Sequence, residues 1–354
     1  MLPARHSLVT SIPPLPVGDP NPRGERGLAA LSKTLRTFDD SGFAVTSVNR
    51  PSEIEALRPL FPGVRFMTAE STNELFSERY GPSIGSLFAV CKGDKSCAII
   101  NADIHLLASD VRRVVENSPD VFFVAHRLDV DRIGGKIEGV YSNGIDAVFF
   151  SPNRFRALLA DSLLGRFQLG APFWDIVTPI MASFHGTVSF IEPPFILHTL
   201  HRARFSRDDY AELRKAAIET VIKHAEIHAA TSARARGFLY LIDMQLNRRR
   251  AISHRRSIRR AMKVFDFWLA KMEKENTVKV SVNINGALSP LSLQMLANSD
   301  DLSQSRLNET NDENESAGSK LRQMRQTVRI TLRIWRRERR HRKFANALAD
   351  GNYL

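Results

Sequence analysis

The sequence predicts an α/β protein with a mostly parallel sheet flanked by helices, followed by a basic helical region. Short apolar runs, such as residues 43–48, alternate with segments such as 28–38, in which apolar residues recur at helical spacing. This alternation is typical of parallel strands joined by crossover helices. Residues 97–107 add a buried strand that ends in polar side chains. Residues 1–205 contain 21 basic and 21 acidic residues, so the net charge of +12 comes from the remainder of the chain.

The predicted strands lie in the first two hundred residues, and most are bounded by turn residues. They cover residues 7–12, 43–48, 64–67, 97–100, 121–125, 148–150 and 188–191. Pro13 and Pro14 end the first strand, because proline cannot donate to a ladder. After Asp103 a helix-like apolar pattern resumes at once, and Leu106, Leu107, Val111, Val114 and Val115 predict the face of the next helix.

The second part of the chain predicts basic helices and a polar segment. Apolar residues at helical spacing indicate helices near 210–225 and 258–269, and residues 299–319 are dominated by Ser, Asn, Asp and Glu. Residues 278–284 alternate like a strand that has no evident partner. We therefore predict a catalytic domain at 1–205, a basic helical extension at 206–298, a disordered linker at 299–319 and an Arg-rich amphipathic C-terminal helix at 320–354.

The two cysteines, Cys91 and Cys97, are too few for a disulfide framework, so free thiols in a reducing compartment are expected. No run of eighteen uncharged apolar residues occurs, and no apolar leader precedes the first strand. These features predict a cytoplasmic protein, peripheral at the inner face of the membrane if the basic helices bind that surface.

Four short segments resemble GT-A fold glycosyltransferases that use nucleotide-diphospho-sugars. They are residues 9–14 (Val-Thr-Ser-Ile-Pro-Pro), Asn101-Ala102-Asp103 in the position of the Asp-x-Asp motif, residues 172–175 (Pro-Phe-Trp-Asp) and His198-x-x-His201. The resemblance covers residues 1–205 and departs from the family at Asn101, where an acid is usual. It implies the GT-A fold, a nucleotide-sugar donor and a divalent cation. Asn can still hydrogen-bond a ribose but supplies no negative charge.

The resemblance assigns the metal to Asp103 together with a histidine, His201 first and His198 second. Transfer of a sugar leaves a diphosphate with new negative charge, which a divalent cation stabilises. Hard Mg²⁺ or Mn²⁺ takes few protein ligands, and an imidazole favours Mn²⁺. Either histidine could instead be an ordinary hydrogen-bonded residue.

The donor would bind at strand ends. The residues assigned to nucleotide-sugar binding are Thr10, Ser11, Asn49, Asn101, Asp103 and Trp174. Ser, Thr and Asn also end strands for purely structural reasons, which is the alternative for the first three. Asp103 could likewise be a helix N-cap.

The acceptor hydroxyl needs a general base, and Asp175 is the first candidate. Trp174 beside it could form a platform for a sugar ring, and Asp146 is the second candidate. Asp175 could also cap the helix that follows, and the two roles are compatible.

These expectations lead to a glycosyltransferase that moves a sugar from a nucleotide-diphospho-sugar to a glycan or lipid-linked acceptor. One alternative is a non-catalytic nucleotide- or glycan-binding protein of the same fold. Another is a nucleic-acid-binding protein acting through the basic region, although no nucleic-acid fold motif supports it. The basic helices favour an anionic membrane surface or glycan, and a solvated face is the remaining alternative.

Overall fold

Ten strands form the central sheet of the described residues, in the order β10-β9-β6-β8-β4-β1-β2-β3, with β5 on β9 and β7 on β6. A computed structural model describes residues 6–14, 27–69, 81–107, 111–130, 137–141, 145–199, 207–247 and 254–279. The strands are β1 (His6–Thr10), β2 (Ala44–Asn49), β3 (Arg65–Thr68), β4 (Ser96–Ile100), β5 (Ile104–Leu106), β6 (Val121–Val130), β7 (Ile137–Tyr141), β8 (Ala147–Phe150), β9 (Thr187–Thr199) and β10 (Thr277–Lys279).

Helices connect and cover these strands. They are α1 (Leu28–Asp40), α2 (Pro51–Leu57), α3 (Ile84–Val90), α4 (Val111–Asn117), α5 (Arg156–Leu159), α6 (Trp174–Ser183), α7 (Arg207–His228), α8 (Ala233–Asn247) and α9 (His254–Glu275), with a short 3-10 helix at Ser162–Arg166. The spacing of buried residues explains the helices: Leu31, Leu35 and Phe38 of α1 lie on one face and are buried.

The predicted α/β architecture with a mostly parallel sheet is confirmed. Strands β3, β2, β1 and β4 lie side by side in that order, and each is parallel to its neighbour. Strand β6 is parallel to β9. Strand β8 runs antiparallel to both β4 and β6, so its first residue lies at the edge of the sheet where β4 ends. All five residues of β4 are buried, as its continuous apolar sequence predicts.

Three expectations are wrong. The helix predicted after Asp103 begins later than expected: residues 104–106 form β5, which pairs with β9, and α4 starts at Val111 with Val111 and Val115 buried as predicted. Cys91 and Cys97 are not free thiols but form a disulfide. The strand near residue 278 does have a partner, since β10 pairs in parallel with β9; its predicted continuation at 280–284 lies outside the described residues.

The basic region contributes α7, α8 and α9, which pack on the sheet domain. The indole N–H of Trp268 in α9 donates to Ser183 Oγ at 3.0 Å. Phe184 contacts the rings of Phe238 and Trp268, so α8 and α9 share one aromatic core with the end of α6. The predicted boundary near residue 205 and the segments from 299 onward fall outside the described residues. Among the described helices, none combines the length and the apolarity that crossing a membrane requires.

Candidate functional site

Polar side chains converge where β4, β6 and β9 reach one edge of the sheet. Asn101 and Asp103 follow β4 directly. Arg127 and Asp129 are two residues apart on β6, so their side chains lie on the same face of that strand. The register of β6 with β9 places Asp129 opposite His198. Ligands of α/β sheets bind at the carboxyl ends of strands, so this edge is the candidate site.

Asp103 and His198 are the centre of this cluster. His198 Nε2 lies 4.0 Å from Asp103 Oδ2, and the Asp103 side chain is 25% exposed. The other ring nitrogen, His198 Nδ1, lies 3.1 Å from Asp129 Oδ1. A carboxylate that accepts from one ring nitrogen fixes the tautomer and leaves the other nitrogen with its lone pair. His198 therefore directs Nε2 toward Asp103.

A second group of contacts joins β6 to the residue before β8. Arg127 Nε lies 3.0 Å from Asp129 Oδ1, and Arg127 Nη1 donates to Asp146 Oδ2 at 2.5 Å. Asn101 Nδ2 donates to the other Asp146 oxygen at 2.8 Å. The guanidinium of Arg127 thus balances two carboxylates that flank it.

Asp175, in the first turn of α6, completes the arrangement. Its carboxyl group accepts the N–H of Ile145 at 3.4 Å. Burial, and next the negative charge of Asp146, raise the pKa of Asp175 to about 7, although the Ile145 N–H and Arg127 act in the opposite direction. The side chain keeps partial exposure. A carboxyl group with a pKa near neutrality, beside a charged cluster, is typical of acid–base chemistry.

The turn that leads into α6 is held in an unusual conformation. Phe173 has a φ of 79°, the one non-glycine residue with positive φ among the described residues. A bulky residue in the left-handed region costs on the order of 1–3 kcal/mol, and such residues cluster at functional sites. The ring of Phe173 packs against the ring of Tyr210 in α7, and the two ring centroids are 4.9 Å apart. This packing holds the turn that presents Asp175.

The predicted nucleoside-binding residues at the ends of β1 and β2 lie in another network. Asn49 is 1% exposed, accepts from Ser47 Oγ at 2.6 Å, and donates to the Ile12 carbonyl at 2.9 Å. Ser11 Oγ lies 3.4 Å from the Asn49 amide. Thr10 is buried, and its hydroxyl makes no hydrogen bond within the described part of the chain. Asn49 supports the end of β1, and a role for the three in donor binding stays a prediction.

Two more predicted residues are placed less favourably. Trp174 is 2% exposed, so its indole has no open face for a sugar ring in this structure, and its assignment stays a prediction. His201, the first choice of histidine ligand, lies outside the described residues.

Sequence reasoning did not assign Asp129 to the site and gave Arg127 no firm role. The signal was present, because a buried apolar run, residues 121–125, passes into His126-Arg127-Leu128-Asp129. Residues two apart on a strand share a face, so Arg127 and Asp129 had to point together. His126 points elsewhere and pairs with Glu273 at 2.8 Å.

No family model and no curated protein matches the sequence. Among solved structures, a mannosyltransferase from Pyrobaculum calidifontis, in complex with GDP-Man and Mn²⁺, is similar at 14% identity and a TM-score of 0.36. The match covers 85% of this chain and 81% of that one. A 4-diphosphocytidyl-2C-methyl-D-erythritol synthase from Anaerococcus prevotii is similar at 11% identity and a TM-score of 0.36, covering 60% of this chain and 96% of that one.

The GT-A-like resemblance stated from the sequence holds at the level of architecture, because the sheet is mostly parallel and flanked by helices.

Proposed function

We propose that this chain is a glycosyltransferase that moves a sugar from a nucleotide-diphospho-sugar to an acceptor hydroxyl with the help of Mn²⁺ or Mg²⁺. One observation carries the proposal: Asp103 and His198 face each other across 4.0 Å at the carboxyl edge of the sheet. The runner-up base, Asp146, and the first choice, Asp175, belong to the same network of contacts.

The residues present fit a divalent cation. Two metal–ligand bonds of about 2.1 Å can span the gap between Asp103 Oδ2 and His198 Nε2. Asp129 supports the imidazole from behind, which is the usual arrangement around a ligating histidine. Asn101 Oδ1 is a buried acceptor with no hydrogen-bond partner among the described residues, so it can receive a ribose hydroxyl or a water. When bound, such a cation supplies positive charge to the departing diphosphate.

Asp175 is the general base of this proposal. A base with a pKa near 7 is half ionised at neutral pH and can accept a proton from the attacking hydroxyl. The Ile145 N–H orients one of its oxygens. Asp146 has a different role, because its oxygens accept from Asn101 and Arg127 and it holds the position of those two side chains.

The departure from the Asp-x-Asp pattern at Asn101 is compatible with a catalytic site. Its amide donates to Asp146, which an aspartate at position 101 could not do when ionised. A further carboxylate there would add negative charge beside Asp146, whose charge already raises the pKa of Asp175. Asn101 therefore keeps the base in its working range while retaining a hydrogen-bonding side chain for the donor.

The acceptor belongs to the same proposal. We infer a glycan or lipid-linked acceptor, bound where the basic helices meet an anionic membrane surface. Arg259 on α9 is exposed, whereas Ala261, Phe265 and Trp268 of the same helix are buried. Cations on the outer face of a packed helix are placed to meet anionic headgroups.

The test is a donor-hydrolysis assay with a panel of nucleotide sugars in the presence of Mn²⁺. We expect turnover of at least one donor by the natural chain, and a loss of about 10²-fold or more in Asp103→Ala. Asp40→Asn, at an exposed position on α1, is the matched control and should keep full activity. If no donor is turned over or bound by the natural chain, or if Asp103→Ala equals the control, the proposal is wrong.

A further inference from the structure

A second cluster of chemistry-bearing side chains lies at the other end of α6. The ligand nitrogens of His185, His224 and His228 all lie within 4.8 Å of one another, which no other group of three such residues does within the described part of the chain. The three rings also contact each other, with centroids 4.4 to 5.0 Å apart. None of these residues belongs to the cluster around Asp103.

The fold brings the three histidines together from two elements. His224 and His228 are four residues apart on α7, so their side chains lie on one face of that helix. His185 comes just after α6, where its N–H donates to the Ala182 carbonyl at 3.0 Å. The cluster thus joins the end of α6 to the end of α7.

A carboxylate orients the central imidazole. Asp161 accepts the Leu163 N–H at 2.8 Å through Oδ1, while its Oδ2 accepts a hydrogen bond from His224 Nδ1. His224 is fully buried. With Nδ1 directed at Asp161, the His224 ring presents Nε2 on its other side. That nitrogen lies 2.9 Å from His185 Nε2. At this distance one ring nitrogen donates its N–H to the other, and a cation bound by both nitrogens would replace that proton.

We propose that His185, His224 and His228 bind one Zn²⁺ ion through their imidazole nitrogens, with Asp161 as the residue that positions His224. Three histidine nitrogens and a water form the tetrahedral set that zinc takes in proteins. Imidazole suits zinc, whereas a site for Mg²⁺ would offer oxygen ligands. A carboxylate on the outer nitrogen of a ligating histidine is the usual support for such an ion.

The surroundings suit an ion that enters from solvent and stays. His185 and His228 are partly exposed, so the site is open on that side, while His224 forms its buried floor. The bound ion would hold α7 onto the end of α6, about 15 Å along the helix from Asp175.

The experiment measures zinc binding by the full chain. The chain, stripped of metal, is titrated with ZnCl₂ and separately with CoCl₂, and the absorption of tetrahedral Co²⁺ is recorded. We expect one equivalent of Zn²⁺, visible Co²⁺ bands that zinc displaces, and a higher melting temperature in zinc. His228→Ala, at a partly exposed position, should lose the bands and the thermal shift.

Three variants make the result decisive. His6→Ala, at a partly exposed histidine outside the cluster, is the matched control and should bind zinc like the natural chain. Asp161→Asn should weaken zinc binding about 10- to 100-fold. Asp103→Ala should bind zinc normally, which separates this proposal from the proposed activity. Equal zinc binding by His228→Ala and His6→Ala, or less than one equivalent in the natural chain, would overturn it.

Discussion

The two ends of α6 carry two different kinds of polar cluster. At its first turn, Asp175 belongs to a network of carboxylates, an amide, a guanidinium and an imidazole at the edge of the sheet. Beyond its last turn, His185 meets two histidines of α7 with a single carboxylate behind them. The first cluster offers carboxylate oxygens and a guanidinium, and the second offers imidazole nitrogens and one carboxylate.

This difference in side chains indicates which kind of cation each cluster could bind. Oxygen ligands around a single imidazole suit a hard cation that exchanges with water and with substrate phosphates. Converging imidazoles suit an ion that is bound tightly by the protein alone. One short helix, α6, connects the two clusters. Substitutions at its two ends therefore test whether one cluster governs catalysis and the other governs stability.

Replacing Asp175 by Asn should have the largest effect. The amide cannot accept the proton of the acceptor hydroxyl, so kcat should fall about 10²- to 10⁴-fold with little change in KM for the donor. Steady-state transfer kinetics measure this, and Asp40→Asn is the control. A variant that keeps more than half of the kcat would remove Asp175 from the catalytic role.

The same substitution should change how stability depends on pH. A carboxyl group whose pKa is raised in the folded state stabilises the fold fully below its unfolded pKa of 3.8, and this contribution is lost as pH rises through about 7. Asp175→Asn should therefore be more stable than the natural chain at pH 8, by on the order of 2 kcal/mol after allowance for its partial exposure. At pH 4 the two should unfold alike.

Urea unfolding at pH 4, 6 and 8 measures this difference. A constant offset between the two proteins at all three values would mean that Asp175 does not titrate in this range. The activity of the natural chain should fall on the acid side of about pH 7, because the base is then protonated.

The fold was predictable because its signals are local. The apolar runs of β1, β2 and β4, and the spacing of Leu31, Leu35 and Phe38 in α1, each report burial directly. The segment 104–106 misled the prediction, because three residues do not distinguish a strand from a helix. Its pairing with β9 is a long-range property that no local pattern contains.

The site was predictable only in part, for the same reason. Asp103 could be named from its place after a buried strand and His198 from the family resemblance, and the structure places His198 Nε2 4.0 Å from Asp103 Oδ2. The contribution of Asp129 depends on the register of β6 with β9, and the cluster of His185 with His224 depends on how α7 packs against α6. Histidines forty residues apart carry no sequence signal of their proximity.

Two matched histidine substitutions should separate the clusters by stability. His224→Ala removes a fully buried ring and leaves Asp161 without that hydrogen bond, so the free energy of unfolding should fall by about 3 kcal/mol. His198→Ala should cost only about 1 kcal/mol, because Arg127 still pairs with Asp129. Chemical unfolding in the presence of a chelator measures both.

The effects of His198→Ala and His224→Ala on activity should be the opposite of their effects on stability. His198→Ala should lose transfer activity, whereas His224→Ala should retain it at temperatures where the variant is folded. Equal losses of stability, or loss of activity in both variants, would show that the two ends of α6 do not act separately.

The smallest effect tests why position 101 holds an amide. Asn101→Asp replaces a donor to Asp146 with a carboxylate, so like charges meet across a 2.8 Å contact. The added charge near Asp175 should raise its pKa further, move the acid limb of the pH–activity profile upward by about one unit, and lower stability at pH 8 by about 1 kcal/mol. Asn101→Ala, which loses the hydrogen bond but adds no charge, should leave that limb in place. If both variants shift the profile equally, the hydrogen bond and not the charge sets the pKa of the base, and the explanation offered for the departure from Asp-x-Asp is wrong.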